Sequence, residues 1–177
     1  LAKHQPHPPG YPVYVAAAKA STAAFRAAGV EGAPARGLAV WGVIAGALTA
    51  FSLFAYFRRL EGRDRVALFA TVLTMSAPLF WFTANRPLSD MSGFAVAMAA
   101  QALALIAAVR QREPASDPAT VRRAVYLAAA VGGLAIGVRA QMFVLTLPLV
   151  GWLMLDWRVP ATRRPIAGTL AAVVAGV

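Results

Sequence analysis

LAVWGVIAGALTAFSLFAYF, residues 38–57, decides the fold class. It carries no charge over a length that an α-helix needs to cross roughly 30 Å of hydrocarbon. Residues 66–84 and 91–109 are two further uncharged runs of similar length. With 59% hydrophobic residues, 14% charged residues and a mean hydropathy of +0.62, the 177-residue chain reads as an all-α, polytopic transmembrane helix bundle rather than a soluble domain.

Outward from the first run, the charges order the topology. Residues 58–65 hold Arg58, Arg59, Arg63 and Arg65, which mark the cytoplasmic side by the positive-inside rule. Residues 66–84 return outward, with Pro78, Trp81 and Phe82 near the outer end, where aromatic belts are expected. A tight turn at residues 85–90 then sends residues 91–109 back in. Arg110, Arg112, Arg122 and Arg123, around the polar linker 113–120, mark the cytoplasm again. The net charge of +10 is explained by these loops. No continuous basic face or aromatic-basic motif points to nucleic acid.

Residues 124–155 contain one charge, Arg139. As one helix the run would be about 48 Å long, too long for an untilted span, whereas two halves are each about 22 Å. A single span would put Arg158, Arg163 and Arg164 outside, so two short spans, 124–138 and 140–155, meeting near residues 137–141 are preferred. Arg139 is then expected below the headgroup plane, facing a cavity, because charge in an apolar region is costly. Gln141 would share that cavity, and snorkelling of Arg139 to the headgroups is the alternative. Residues 165–177 read as the start of another outward span. Leu1 is not a start residue and Val177 stops within an apolar run, so the chain is read as a fragment of a longer protein.

Upstream of the spans, residues 1–12 form a proline-rich loop on the outside. The stretch His4-Gln5-Pro6-His7-Pro8-Pro9-Gly10-Tyr11-Pro12 cannot be helix interior, because each proline removes a backbone donor and restricts the residue before it. Residues 13–29 follow as a helix with Lys19, Thr22 and Arg26 on one face and Tyr14 and Phe25 on the other. It reads either as an interfacial helix or as an ordinary helix flanking a span.

The candidate chemistry lies on the outer side. Asp90 and Arg86 stand four residues apart across Pro87, a carboxylate to accept protons or hydroxyls and a guanidinium to pair with phosphate. Their structural alternative is a mutual ion pair, or Asp90 as a helix N-cap. His4 and His7, without a nearby carboxylate, fall short of a zinc pattern, so no metal is expected, and neutral imidazole would donate to a sugar or phosphate. With no cysteine, there is no thiolate site and no inference about redox compartment. Glycine-rich phosphate loops in context, nucleophile elbows and glycosidase-spaced carboxylate pairs are not seen.

The run His7-Pro8-Pro9-Gly10-Tyr11-Pro12, a helix, Ala35-Arg36-Gly37-Leu38 opening a span that ends in Arg58-Arg59-Leu60-Glu61-Gly62, and then Arg86-Pro87-Leu88-Ser89-Asp90 together resemble the integral-membrane glycosyltransferases of the GT-C class. The resemblance is to the branch of protein O-mannosyltransferases and bacterial transferases that modify lipid A or other envelope glycans. It implies a bundle of about a dozen membrane helices, a site on the outer face of a bacterial inner membrane, and a polyprenyl-phosphate-linked sugar donor. Neither a nucleotide nor another cofactor is implied. The acceptor would be a glycan, a lipid or a protein. The family's catalytic acid is expected just upstream of the His-Pro-Pro motif, before Leu1, so the fragment by itself is expected to be inactive. The resemblance carries over His7 beside that position and Asp90 with Arg86 as a second outer-loop site, and Arg139 loosely. His4, Tyr11 and Gln141 complete the candidate substrate and donor contacts. A transporter or flippase, or a non-catalytic scaffold, are the rival readings.

Overall fold

The structure, a computed structural model, describes residues 11–86 and 88–155. Among them no strand occurs. The expectations placed on the loop with His4 and His7, on Pro87, on Arg158, Arg163 and Arg164 and on the run 165–177 lie outside the described residues. The elements are α1 (Pro12–Ala27), α2 (Ala33–Glu61), α3 (Asp64–Met75), α4 (Pro78–Ala84), α5 (Ser89–Arg112), α6 (Pro118–Val138), a 3-10 turn (Ala140–Met142) and α7 (Phe143–Leu155). Three of them, α2, α5 and α6, are long and apolar enough to cross a membrane.

Glycine and proline punctuate the chain where the backbone needs them. Gly32, at φ 67°, precedes α2, and Gly62, at φ 65°, closes it in the left-handed conformation that glycine adopts without steric cost. Beyond Gly62 the chain doubles back, and Arg58 Nε donates to Asp64 Oδ1 at 2.7 Å across the turn. Both side chains are well exposed, so this pair contributes at most about 1 kcal/mol. The outward run 66–84 is divided, not straight. Pro78 has no N–H to continue α3, so the helix stops at Met75 and restarts as α4 at an angle of 67°.

α6 starts earlier than the polarity of residues 113–120 suggests. Asp117 caps it, accepting from the Thr120 backbone N–H at 3.0 Å, and Pro118 occupies the first turn. Those hydrogen bonds, from the Thr120 backbone and hydroxyl, hold the Asp117 carboxyl below its ordinary value. Arg122 and Arg123 consequently sit within α6. At its other end α6 gives way to Arg139, whose backbone is extended (φ −155°, ψ 117°), and the 3-10 turn leads into α7.

The bundle is assembled around α5. Its buried alanines, among them Ala95, Ala97, Ala100, Ala104 and Ala107, let α2 and α6 approach closely, the packing mode of membrane helices. Ala104, Ala107 and Ala108 meet Ala124, Val125 and Ala128 of α6 and Leu153 of α7 in one cluster. Ala45 of α2 meets Met91 and Ala95 in another. Hydroxyls inside the helices return to their own backbone, as Thr49 does to Ala45 O and Thr71 to Ala67 O. Pro148 lies inside α7, and Gln101 of α5 donates to the Leu145 carbonyl of the same helix at 3.1 Å. Phe51, Phe69 and Leu79 lie on the outside, each about 70% exposed. Such apolar surface suits lipid as the solvent.

The hairpins α2–α3 and α5–α6 bring residues 58–65 and 110–123 to one basic end. Asn85, Arg86, the start of α5 and the Arg139 break gather at the other. There α1 is folded back along the first half of α2. Ser21 Oγ lies 2.7 Å from the Gly37 carbonyl and accepts from Trp41 Nε1 at 3.1 Å. The first turn of α1 faces Ala45, Ala95 and Val138 across a small apolar cavity.

Candidate functional site

The break at Arg139 places a guanidinium over the first turn of α5. Arg139 Nη2 lies 2.9 Å from Asp90 Oδ1, and Nη1 donates to Ser89 Oγ at 3.0 Å. The three residues are brought together by backbone geometry. α5 begins at Ser89 after an extended Leu88, so Ser89 and Asp90 share its first turn. The extended Arg139 backbone then swings its side chain out of the α6 ladder towards them.

Gly93, one turn into α5, makes room for the approach. A Cβ built there would stand 2.8 Å from Arg139 Cβ and 3.2 Å from Met142 Cγ. Such a contact is too close to be tolerated without a shift. The Arg139 side chain is 23% exposed and that of Asp90 is 38% exposed, so the pair is half-buried and not sealed in the core. An arginine carries five N–H donors in a planar fork. Two are directed at Ser89 and Asp90, and the rest can take up oxygens of a third group.

Tyr14 approaches the same carboxylate from α1. It is buried, and burial first, with the Asp90 charge second, pushes its hydroxyl up from the ordinary tyrosine value, so it stays a neutral phenol. On the side towards the α3–α4 bend, Asp90 lines a cavity of about 350 Å³ whose other walls include Thr74, Phe80, Met91, Phe94 and Met142. The cavity is apolar apart from Asp90 and two threonines, so a hydrocarbon-like lining carries one carboxylate.

Arg86 is placed elsewhere. Its guanidinium stacks over the Phe82 ring, 3.9 Å from the centroid, an intrahelical-type contact four residues back. Asp90 therefore pairs with Arg139, 49 positions away, rather than with Arg86, and Leu88 rather than Asp90 is the N-cap of α5. Gln141 is exposed in the 3-10 turn. Tyr11 precedes α1 and lines a groove between α1 and α2 whose lining also includes Tyr14, and it makes no contact with Arg139 or Asp90 among those described. His4 and His7 lie outside the described residues. Ser89, Gly93 and Tyr14 were not among the residues that the sequence marked for this site. The i, i+4 spacing of Ser89 and Gly93 on one helix face was the signal available for two of them. Among the described residues no three His, Cys, Asp or Glu side chains gather as a metal site would require.

Residues 4–161 match the family model described as the protein O-mannosyl-transferase TMEM260 N-terminal domain. That match covers most of the chain, and the chain belongs to this family. It is thus an integral membrane protein of a glycosyltransferase family. No curated protein and no solved structure matches it.

Proposed function

We propose that this chain forms the membrane-embedded part of a glycosyltransferase that passes a mannosyl group from a polyprenyl-phosphate-linked donor to a hydroxyl of a protein acceptor. Transfer takes place at the non-cytoplasmic surface. The observation that carries this reading is the Arg139–Asp90–Ser89 cluster, whose Asp90 also lines an apolar cavity. A lipid-linked donor requires such a combination, because its phosphate needs a cation while its isoprenoid chain stays in an apolar phase.

In the reaction the acceptor oxygen forms a bond to the anomeric carbon as the bond from that carbon to the phosphate oxygen breaks. The electron pair leaves with the phosphate, and the acceptor proton passes to a base. Negative charge on the phosphate grows as the bond breaks, so a guanidinium held at that oxygen favours the transition state over the ground state. Arg139 is pre-positioned for this role by Ser89 and Asp90 and keeps donors for the phosphate. Asp90 offers its second oxygen to hydroxyls of the sugar or acceptor. Arg86 and His7 remain candidates for holding the donor phosphate and orienting the acceptor.

The test uses the full-length protein in membranes, with a labelled polyprenyl-phosphate mannose and an acceptor peptide. Arg139→Ala and Asp90→Asn are each expected to lower transfer by about 10²–10³-fold, with an unchanged size-exclusion profile in detergent. Near-normal transfer by both variants sinks the reading, and vesicle uptake of the labelled lipid without transfer would replace it with a transporter.

A further inference from the structure

A second concave surface lies in the groove between α1 and the start of α2, and Tyr14, which the Asp90 charge reaches, is among its lining residues. It encloses about 550 Å³ and is walled by Tyr11, Lys19, Thr22 and Arg26 on the α1 side and by Pro34 and Leu38 on the α2 side. Lys19 and Arg26 are seven residues apart, which puts them on one helix face about 10 Å from each other, with Thr22 between. Among the described residues the ion pairs are Arg58–Asp64 and Arg139–Asp90, so no carboxylate neutralises either cation. No acidic side chain lines the groove.

We propose that this groove is a binding site for the phosphate headgroup of an anionic bilayer phospholipid. Three features select that occupant. Two uncompensated cations flanking a hydroxyl suit a phosphodiester, which accepts hydrogen bonds and carries one negative charge. The apolar wall of Pro34, Leu38 and Val15 suits the glycerol and first acyl carbons that come with it and would gain nothing from a free ion. The groove also lies beside the first turns of α2, a helix long and apolar enough to span, and so at the level where headgroups sit. The α1 helix is held to α2 through Ser21 and Trp41, and its Tyr14 senses the Asp90 charge. A lipid seated here would clamp the helix that borders the Arg139 pair. The site rests on the groove alone and does not depend on which reaction the pair serves.

The experiment measures binding to the purified full-length protein in neutral detergent, read as the rise in thermal unfolding midpoint with added ligand. The ligands are short-chain phosphatidylglycerol, short-chain phosphatidylcholine and inorganic phosphate. The wild type is expected to bind phosphatidylglycerol saturably and at least about tenfold more tightly than the other two, and Lys19→Gln/Arg26→Gln to weaken that binding by about tenfold or more, a difference of about 1.4 kcal/mol. Arg63→Gln, at the basic end, is expected to leave it unchanged. Equal affinity for phosphatidylcholine, equal affinity for inorganic phosphate, or undiminished binding by the double variant would each overturn the proposal. Should the double variant unfold, Lys19→Gln and Arg26→Gln taken singly decide by the same readout.

Discussion

At the scale of single residues, the pairing of Arg139 with Asp90 depends on an absence, the missing Cβ of Gly93. A methyl group there would stand 2.8 Å from Arg139 Cβ, and the extended backbone at Arg139 gives little room to retreat. Gly93→Ala is therefore expected to push the guanidinium away from Ser89 and Asp90. Displacement of a charge-stabilising group by about 1 Å can cost up to about a hundredfold in rate. Transfer by the full-length protein is expected to fall towards that of Arg139→Ala, and an unchanged rate would detach the pair from the chemistry. Asp90 and Arg139 could each be singled out in the sequence, one as a carboxylate in a tight turn and the other as a lone charge in an apolar run. Their meeting could not be read there. It needs the helix to break at Arg139 and a glycine on a different helix to admit the side chain. Arg86 shows the opposite case, because proximity in sequence suggested Asp90 while the Phe82 ring, one helical turn back, holds the guanidinium instead.

At the scale of elements, the docking of α1 on α2 is the arrangement that puts Tyr14 beside Asp90. Its closest approach is at Gly37, where a Cβ would lie 2.8 Å from Thr22 Oγ1 and 2.9 Å from the Thr22 backbone. Backbone cannot yield as a flexible side chain does, so Gly37→Ala is expected to lift α1 at a cost of about 1–3 kcal/mol. The melting temperature should drop and the Trp41 emission shift red as its bond to Ser21 is lost. Gly46 lies in the same helix with no heavy atom within 4 Å of a built Cβ. Gly46→Ala is the matched control and should be neutral or slightly stabilising, and equal effects of the two would show that helix docking is not what Gly37 provides. Hydropathy made α2, α5 and α6 legible as long apolar helices, since an uncharged run of about twenty residues has few other solutions. The bend between α3 and α4 was less legible. Pro78 was visible, but in an apolar run a proline can kink a span, end it or be accommodated, and the packing of Phe80 and Ala84 against Met91 decides. The start of α6 was hidden for a local reason, since Asp117 and Pro118 read as linker until seen as cap and first turn.

At the scale of the whole molecule, charge is divided between the two ends. Arg58, Arg59, Arg63 and Arg65 share one end with Arg110, Arg112, Arg122 and Arg123, and the Arg139 pair sits at the other. By the positive-inside rule the basic end is expected on the cytoplasmic side. These 177 residues contain no cysteine, so single cysteines introduced into them report on this in a full-length protein whose remaining cysteines are replaced. On intact cells a membrane-impermeant maleimide is expected to label Asn85→Cys, whereas Arg63→Cys should label only after permeabilisation. The reverse pattern would turn the molecule over and move the proposed reaction to the cytoplasmic face. The 67° bend after Met75 has a wider consequence. The 12 residues of α3 rise only about 18 Å, little more than half of a typical hydrocarbon thickness of about 30 Å. On that flank the bilayer meets a short wall, while beside the 24-residue α5 it meets a full-height one. Lipids along α3 are expected to relieve that mismatch by thinning, on the side where Thr74 of α3 lines the cavity at Asp90. Host membranes with longer acyl chains would resist that thinning, which makes acyl length a physical variable of the enzyme's surroundings.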